Sequence, residues 1–208
     1  MKIYWHEKAG DAFKEVISKN ADDPFRLASE FFKTHARSTV AKAEVAGEPV
    51  IIKRFNVVDW SSRLKRVLGP SLALRSWRNA ELILNLGIKT PYPLARIEAK
   101  EGWLTPCPIL VFEYAEGIAA DEYFADPSIG RAAKERVALR LAQSISYLHS
   151  AGYAHRDLKG KNVLIYNEEP WIIDLDTLRR PLLKAQLIRG IHRDHAMLKN
   201  IFEAYTIR

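Results

Sequence analysis

Residues 155–176, HRDLKGKNVLIYNEEPWIIDLD, leave the chain few folding options. The runs NVLIY and PWIIDLD are apolar, short and separated by the polar triplet NEE, which predicts an antiparallel hairpin. A hairpin returns the chain to the edge it left. Asp157, Asn162 and Asp174 are therefore expected to converge, although the first and last stand well apart in sequence. The plain alternative is a polar turn between two strands with no chemistry in it.

The flanking segments decide between these readings by their order. Lys33 to Phe55, KTHARSTVAKAEVAGEPVIIKRF, is rich in β-branched residues and broken by AGEP, which predicts two or three antiparallel strands ending in VIIKRF. Ser76–Leu86 carries apolar residues at helical spacing and stops at Gly87. Residues 108–117, PILVFEYAEG, read as a buried strand running into a turn. In residues 131–152, Val137, Leu141, Ile145 and Leu148 form one helical stripe, and Gly152 closes the helix.

Composition bounds the partners. The 208 residues are 48% hydrophobic and 27% charged, enough for a real core. A single cysteine, Cys107, rules out an internal disulfide framework and points to a reducing compartment. The start of the chain lacks the apolar stretch of a secretory signal, and no run reaches about eighteen apolar residues, so a cytoplasmic location is expected. The net charge of +7 favours an anionic partner. Basic side chains crowd residues 53–78 (Lys53, Arg54, Arg63, Lys65, Arg66, Arg75, Arg78) against Asp59 alone, and residues 179–199 against Asp194 alone.

The polar residues of the quoted loop suit phosphoryl transfer. That reaction needs an oriented acceptor hydroxyl and neutralised phosphate charge rather than covalent help from the protein. An aspartate at the loop tip can accept the hydroxyl proton, and an asparagine with a further aspartate can hold Mg2+ through hard oxygen ligands.

HRDLKGKNVLI resembles the catalytic loop of the protein-kinase superfamily, whose H-R-D-x-x-x-x-N pattern it matches in full. The resemblance implies an α+β, two-lobed protein-kinase-like fold. A β-rich N-lobe, residues 1–115, would hold the nucleotide, and a short, truncated helical C-lobe, residues 116–208, would carry the catalytic loop. It also implies ATP and Mg2+ as cofactors, Asp157 as base and Lys159 on the transferred phosphate. Asn162, Asp174 and Asp176 would hold metal, Asp176 being alternatively a helix N-cap. VIIKRF resembles the strand with the phosphate-binding lysine, which makes Lys53 the match and Glu81 its ion-pair partner. VFEYAEG resembles the hinge, so the backbone of Glu113 and Ala115 would meet the adenine with Phe112 behind it. His155 would brace the loop, and Arg156 would pair with an acidic group.

The chain departs from that pattern in ways that narrow it. The glycine-rich covering loop is replaced by HARSTV, leaving Arg37, Ser38 and Thr39 to cap phosphates. Leu175 and Asp176 replace the usual Phe-Gly. Positions 175–208 are all that follow Asp174, too short a stretch for a protein-substrate platform. A cut-back C-lobe, the DLD ending and a basic insert resemble the lipopolysaccharide kinases, which phosphorylate Kdo or heptose of the inner core. That implies an anionic glycolipid acceptor, peripheral association with the cytoplasmic face of the inner membrane through the basic stretches, and no nucleic-acid partner. The rival readings are a compact atypical Ser/Thr protein kinase and a nucleotide-binding pseudokinase regulator. Lys53 and Glu81 also have ordinary readings, an exposed strand face with Arg54 inward and a solvated helix carboxylate.

Overall fold

The computed structural model describes residues 1–35, 38–56, 71–101 and 105–206. The chain divides into two compact units, Met1–Glu81 with Pro91–Tyr114, and Leu82–Thr90 with Ala115–Arg208. The architecture is α+β.

The first unit is built on a six-stranded antiparallel sheet in the order β1-β5-β6-β4-β3-β2. Its strands are β1 (Lys2–Trp5), β2 (Ala28–His35), β3 (Ser38–Val45), β4 (Glu48–Phe55), β5 (Pro93–Glu101) and β6 (Thr105–Glu113). The strands expected between Lys33 and Phe55 are present, with β2 beginning earlier, at Ala28. Alternation sorts their side chains. Val50 and Ile52 of β4 join Ala43, Val45, Ile97, Ile109 and Val111 under helix α1 (Asp11–Lys19), which contributes Phe13 and Ile17. On the other face Phe55 and Leu110 meet Ala73 and Trp77 of helix α2 (Leu72–Asn85), with Phe112 packed alongside. Sequence periodicity missed β1 and α1, and α2 starts at Leu72 rather than Ser76. Gly87 (φ 71°) ends α2 as expected, and Ile88 N–H donates to Ile83 O at 3.0 Å.

The second unit carries a three-stranded sheet, β7 (Ile118–Ala119), β8 (Val163–Tyr166) and β9 (Glu169–Ile172), in the order β7-β8-β9. Its helices are α3 (Ala120–Ala125), α4 (Arg131–Ser150) and α5 (Lys184–Thr206). The stripe expected on α4 is its core face: Val137, Leu141, Ile145 and Leu148 are all essentially inaccessible to solvent. Phe124 of α3 meets Phe202 of α5 edge-on, centroids 5.3 Å apart. The β8–β9 hairpin turns on Asn167 (φ 50°) and Glu168 (φ 58°), a two-residue connection with both centres left-handed, and Glu169 belongs to the strand. Glutamate resists that conformation, and α4 holds it there. Arg136 grips the Glu168 carboxylate through two 2.8 Å bonds, and Arg140 Nη1 donates to the Glu168 carbonyl at 2.8 Å.

The strand expected to end in an aspartate stops at Ile172. Asp174 adopts a left-handed conformation (φ 58°, ψ 57°) that no strand accommodates, and a single 3-10 turn, Leu175–Thr177, follows it. Among the described residues no helix is long and apolar enough to cross a membrane.

Candidate active site

The catalytic-type loop lies within the second unit and is fixed from several directions. Beyond the last hairpin pair, Val163 with Ile172, the ladder gains one more rung: Ile173 N–H donates to Asn162 O at 2.9 Å. Asp174 thus directly follows the residue bonded to Asn162, which is the convergence the hairpin predicts. Asn162 is buried, and its Nδ2 donates to the Asp157 carbonyl (2.8 Å) and to Asp157 Oδ2 (3.1 Å). Lys159 Nζ reaches the same Oδ2 at 3.0 Å. The Asp157 carboxylate therefore sits between an ammonium and an amide and keeps partial exposure.

Gly160 opens the 3-10 turn Gly160–Asn162 against the start of α3. A Cβ there would stand 2.6 Å from Asp121 Cβ, so only glycine lets the turn approach this closely.

His155 braces the loop as expected. It is fully buried, its ring lies 3.3 Å from the Ile173 carbonyl, and its Nδ1 accepts Asp157 N–H at 3.3 Å. Burial pushes the imidazole below its ordinary value, against the pull of the Asp194, Asp174 and Asp157 charges, so it is neutral at physiological pH. Segment 177–179 closes the other side, where Thr177 Oγ1 donates to His155 O at 2.7 Å and Ala154 exchanges backbone bonds with Arg179.

The residue that sequence reasoning missed is Asp194. Its carboxylate, completely buried on α5, accepts the backbone N–H of His155 (2.8 Å) and of Arg156 (2.6 Å) and faces His149 Nε2 at 3.0 Å. The one available signal was its isolation, a single acid inside a run of arginines and lysines. A carboxylate kept in such company is held by something other than solubility.

Arg156 departs from expectation. Its backbone is left-handed (φ 69°), and its side chain lines a basic cavity, with no carboxylate in ion-pair distance among the described residues. Asp176 lies inside the 3-10 turn; the N-cap position belongs to Asp174, whose side chain makes no capping bond. The Asp176 carbonyl accepts Arg179 Nη1 at 3.2 Å.

In the first unit, Lys53 is buried and Arg54 half-buried, the reverse of the exposed-lysine reading. Lys53 shares its strand face with Phe55, Nζ 5.0 Å from the ring centroid, while Arg54 lies over Phe25 on the α1 side. Glu81 accepts Trp77 Nε1 at 2.6 Å. Glu113 N–H is committed to Tyr92 O at 2.9 Å, which leaves the Glu113 carbonyl for any adenine contact. Ser38 and Thr39 are buried ladder residues at the start of β3, Thr39 Oγ1 accepting Asn56 Nδ2 at 3.3 Å. Arg37, and the insert residues Arg63, Lys65 and Arg66, lie outside the described residues.

Comparison with known proteins bears on this geometry. Residues 98–181 match the family model of the protein kinase domain, a span that includes the loop and the hairpin. All of the chain superposes on 90% of the chain of a solved structure, WaaP in complex with acyl carrier protein, with a TM-score of 0.67 and 18% identity. The chain has the protein-kinase-like fold. Its curated relatives include serine/threonine-protein kinase RAD53 of Saccharomyces cerevisiae, 25% identical over 79% of this kinase-like chain, and serine/threonine-protein kinase SBK1 of Danio rerio, 27% identical over 32% of it. The chain spans about a quarter of the length of each, 23% and 22%.

Proposed function

We propose that this kinase-like chain transfers the γ-phosphate of ATP to a sugar hydroxyl of the lipopolysaccharide inner core. The observation that carries the chemistry is the Asp157 carboxylate, held by Lys159 Nζ and Asn162 Nδ2 on one short loop. Asp157 Oδ2 orients the acceptor hydroxyl and takes its proton. Lys159, already beside that oxygen, supplies positive charge where the transferred group gathers negative charge.

The donor set suits Mg2+. Asn162 spends its Nδ2 on Asp157, which leaves Oδ1, with the Asp174 carboxylate, as hard oxygen ligands. Bound Mg-ATP supplies the phosphoryl group and charge neutralisation. Lys53 would hold the nucleotide phosphates, and the Glu113 carbonyl with the Ala115 backbone would meet the adenine.

The sugar acceptor is favoured by the DLD sequence after the hairpin, where Leu175 and Asp176 replace the usual Phe-Gly. The likeness to WaaP bears on the fold alone. A protein acceptor is the second reading, favoured by the two Ser/Thr protein-kinase relatives. Radiolabelled phosphate from ATP, offered together with intact and truncated lipopolysaccharide and with protein acceptors, separates them. Label in the core sugar establishes the proposal, and label confined to protein overturns it.

A further inference from the structure

Next to the loop lies a basic cavity of about 550 Å3, lined by Arg156, Arg179, Arg180, Arg189 and Arg193. Among the described residues no carboxylate lies within ion-pair distance of any of the five. Their bonds go to neutral partners. Arg179 Nη1 donates to the carbonyls of Asp176 and Leu178, Arg189 Nε donates to Ala185 O, and Arg180 lies over the Tyr153 ring. Burial and the adjacent Arg156 charge hold the Arg179 guanidinium below its ordinary value, opposed by Asp176, which marks a local excess of positive charge. The one acid in this stretch of α5, Asp194, is turned away into the buried loop.

Close packing builds the cavity. A Cβ on Gly190 would stand 2.7 Å from Ala154 Cβ, so glycine lets α5 press against the loop, and Arg189 and Arg193 flank it one turn apart. The left-handed Arg156 and its bonded amide commit this side chain to the cavity, while the next residue carries the candidate base.

The geometry points to a second anion site, distinct from the nucleotide site, that holds a phosphomonoester already present on the acceptor sugar. Guanidinium forks match phosphate oxygens two at a time. The volume falls within the range of small-molecule pockets, about 300–1,000 Å3, so a sugar carrying the phosphate fits. A phosphate anchored at Arg156 and its neighbours sets the sugar beside Asp157, and a reaction that installs that phosphate must precede this one. The acceptor half of this assignment rests on the phosphotransferase reading above.

Calorimetric titration of the full chain with mannose 6-phosphate, mannose and inorganic phosphate tests the site. Mannose 6-phosphate should bind where mannose does not, and a saturating non-hydrolysable ATP analogue should leave that binding unchanged. The exposed pair Arg189→Gln with Arg193→Gln should weaken it about tenfold or more, at unchanged melting temperature. In the unaltered protein, arginine Nε–Hε resonances should shift on titration, whatever the variants do to folding. Equal binding of mannose, competition by the nucleotide, or unmoved arginine resonances overturns the site. So does binding to anionic phosphatidylglycerol vesicles without binding of the sugar phosphate, which would make the arginines a membrane-facing surface. Sugar-phosphate binding without ATP turnover supports the site and sinks the kinase reading; turnover without such binding does the reverse.

Discussion

The carboxylate of Asp194 stands 2.8 Å from the backbone nitrogen of His155, 39 residues away in sequence. With the 2.6 Å bond from Arg156 N–H, this ties helix α5 to the loop that carries the candidate base. The His155 N–H is buried and the Arg156 N–H partly so, and by accepting both the carboxylate steadies the loop around its left-handed residue.

Asp194→Ala would leave His155 N–H, and the partly buried Arg156 N–H and His149, without this acceptor. At about 1–3 kcal/mol for each buried unsatisfied group, the loss should be on the order of 3 kcal/mol or more. Urea unfolding measures it directly. A loss no larger than that of an ordinary surface substitution, about 0.5 kcal/mol, would show the loop is held by other contacts.

Stability should fall in mild acid because His155 is buried and neutral. Its folded value lies below the ordinary value of about 6.5, so above that pH neither state binds the proton and the full stability is present. As the pH drops through that value, the unfolded chain takes up a proton that the folded chain refuses, and stability is lost until the folded value is reached. Melting temperatures from pH 8 to pH 5 should show the decline, and His155→Asn should flatten it.

Asp157→Ala should reduce phosphoryl transfer by roughly 10^2–10^4-fold. Mg-ATP binding should persist, because the carboxylate is half-buried and its partner Lys159 is exposed. The comparison needs a transfer assay and a nucleotide-binding assay on the same preparation; parental turnover would remove Asp157 from the chemistry.

Asp174→Asn separates metal binding from backbone geometry. Asparagine tolerates the left-handed conformation seen at this position, so the fold should survive. The rise in melting temperature produced by Mg2+ and ATP together should shrink or vanish. An undiminished shift would place the metal elsewhere.

The periodic parts of the molecule were determined by local sequence. The stripe from Val137 to Leu148 and the β8–β9 hairpin depend on spacings within one element, and any such helix or strand pair must bury that face. The pattern from His155 to Asn162 was legible as a resemblance to the kinase catalytic loop, and the contacts of Asp157 with Lys159 and Asn162 stay within that short loop. Three things were decided by tertiary structure. Lys53 lies on the Phe55 face of the sheet and Arg54 on the α1 face, a choice that alternation alone leaves open by a single step of register. Asp194 accepts the loop's amides, and five arginines drawn from the loop, the segment after β9 and α5 come to share one cavity. These contacts join residues far apart along the chain, and only the packing of α5 against Ala154, through a glycine with no Cβ to spare, brings them together.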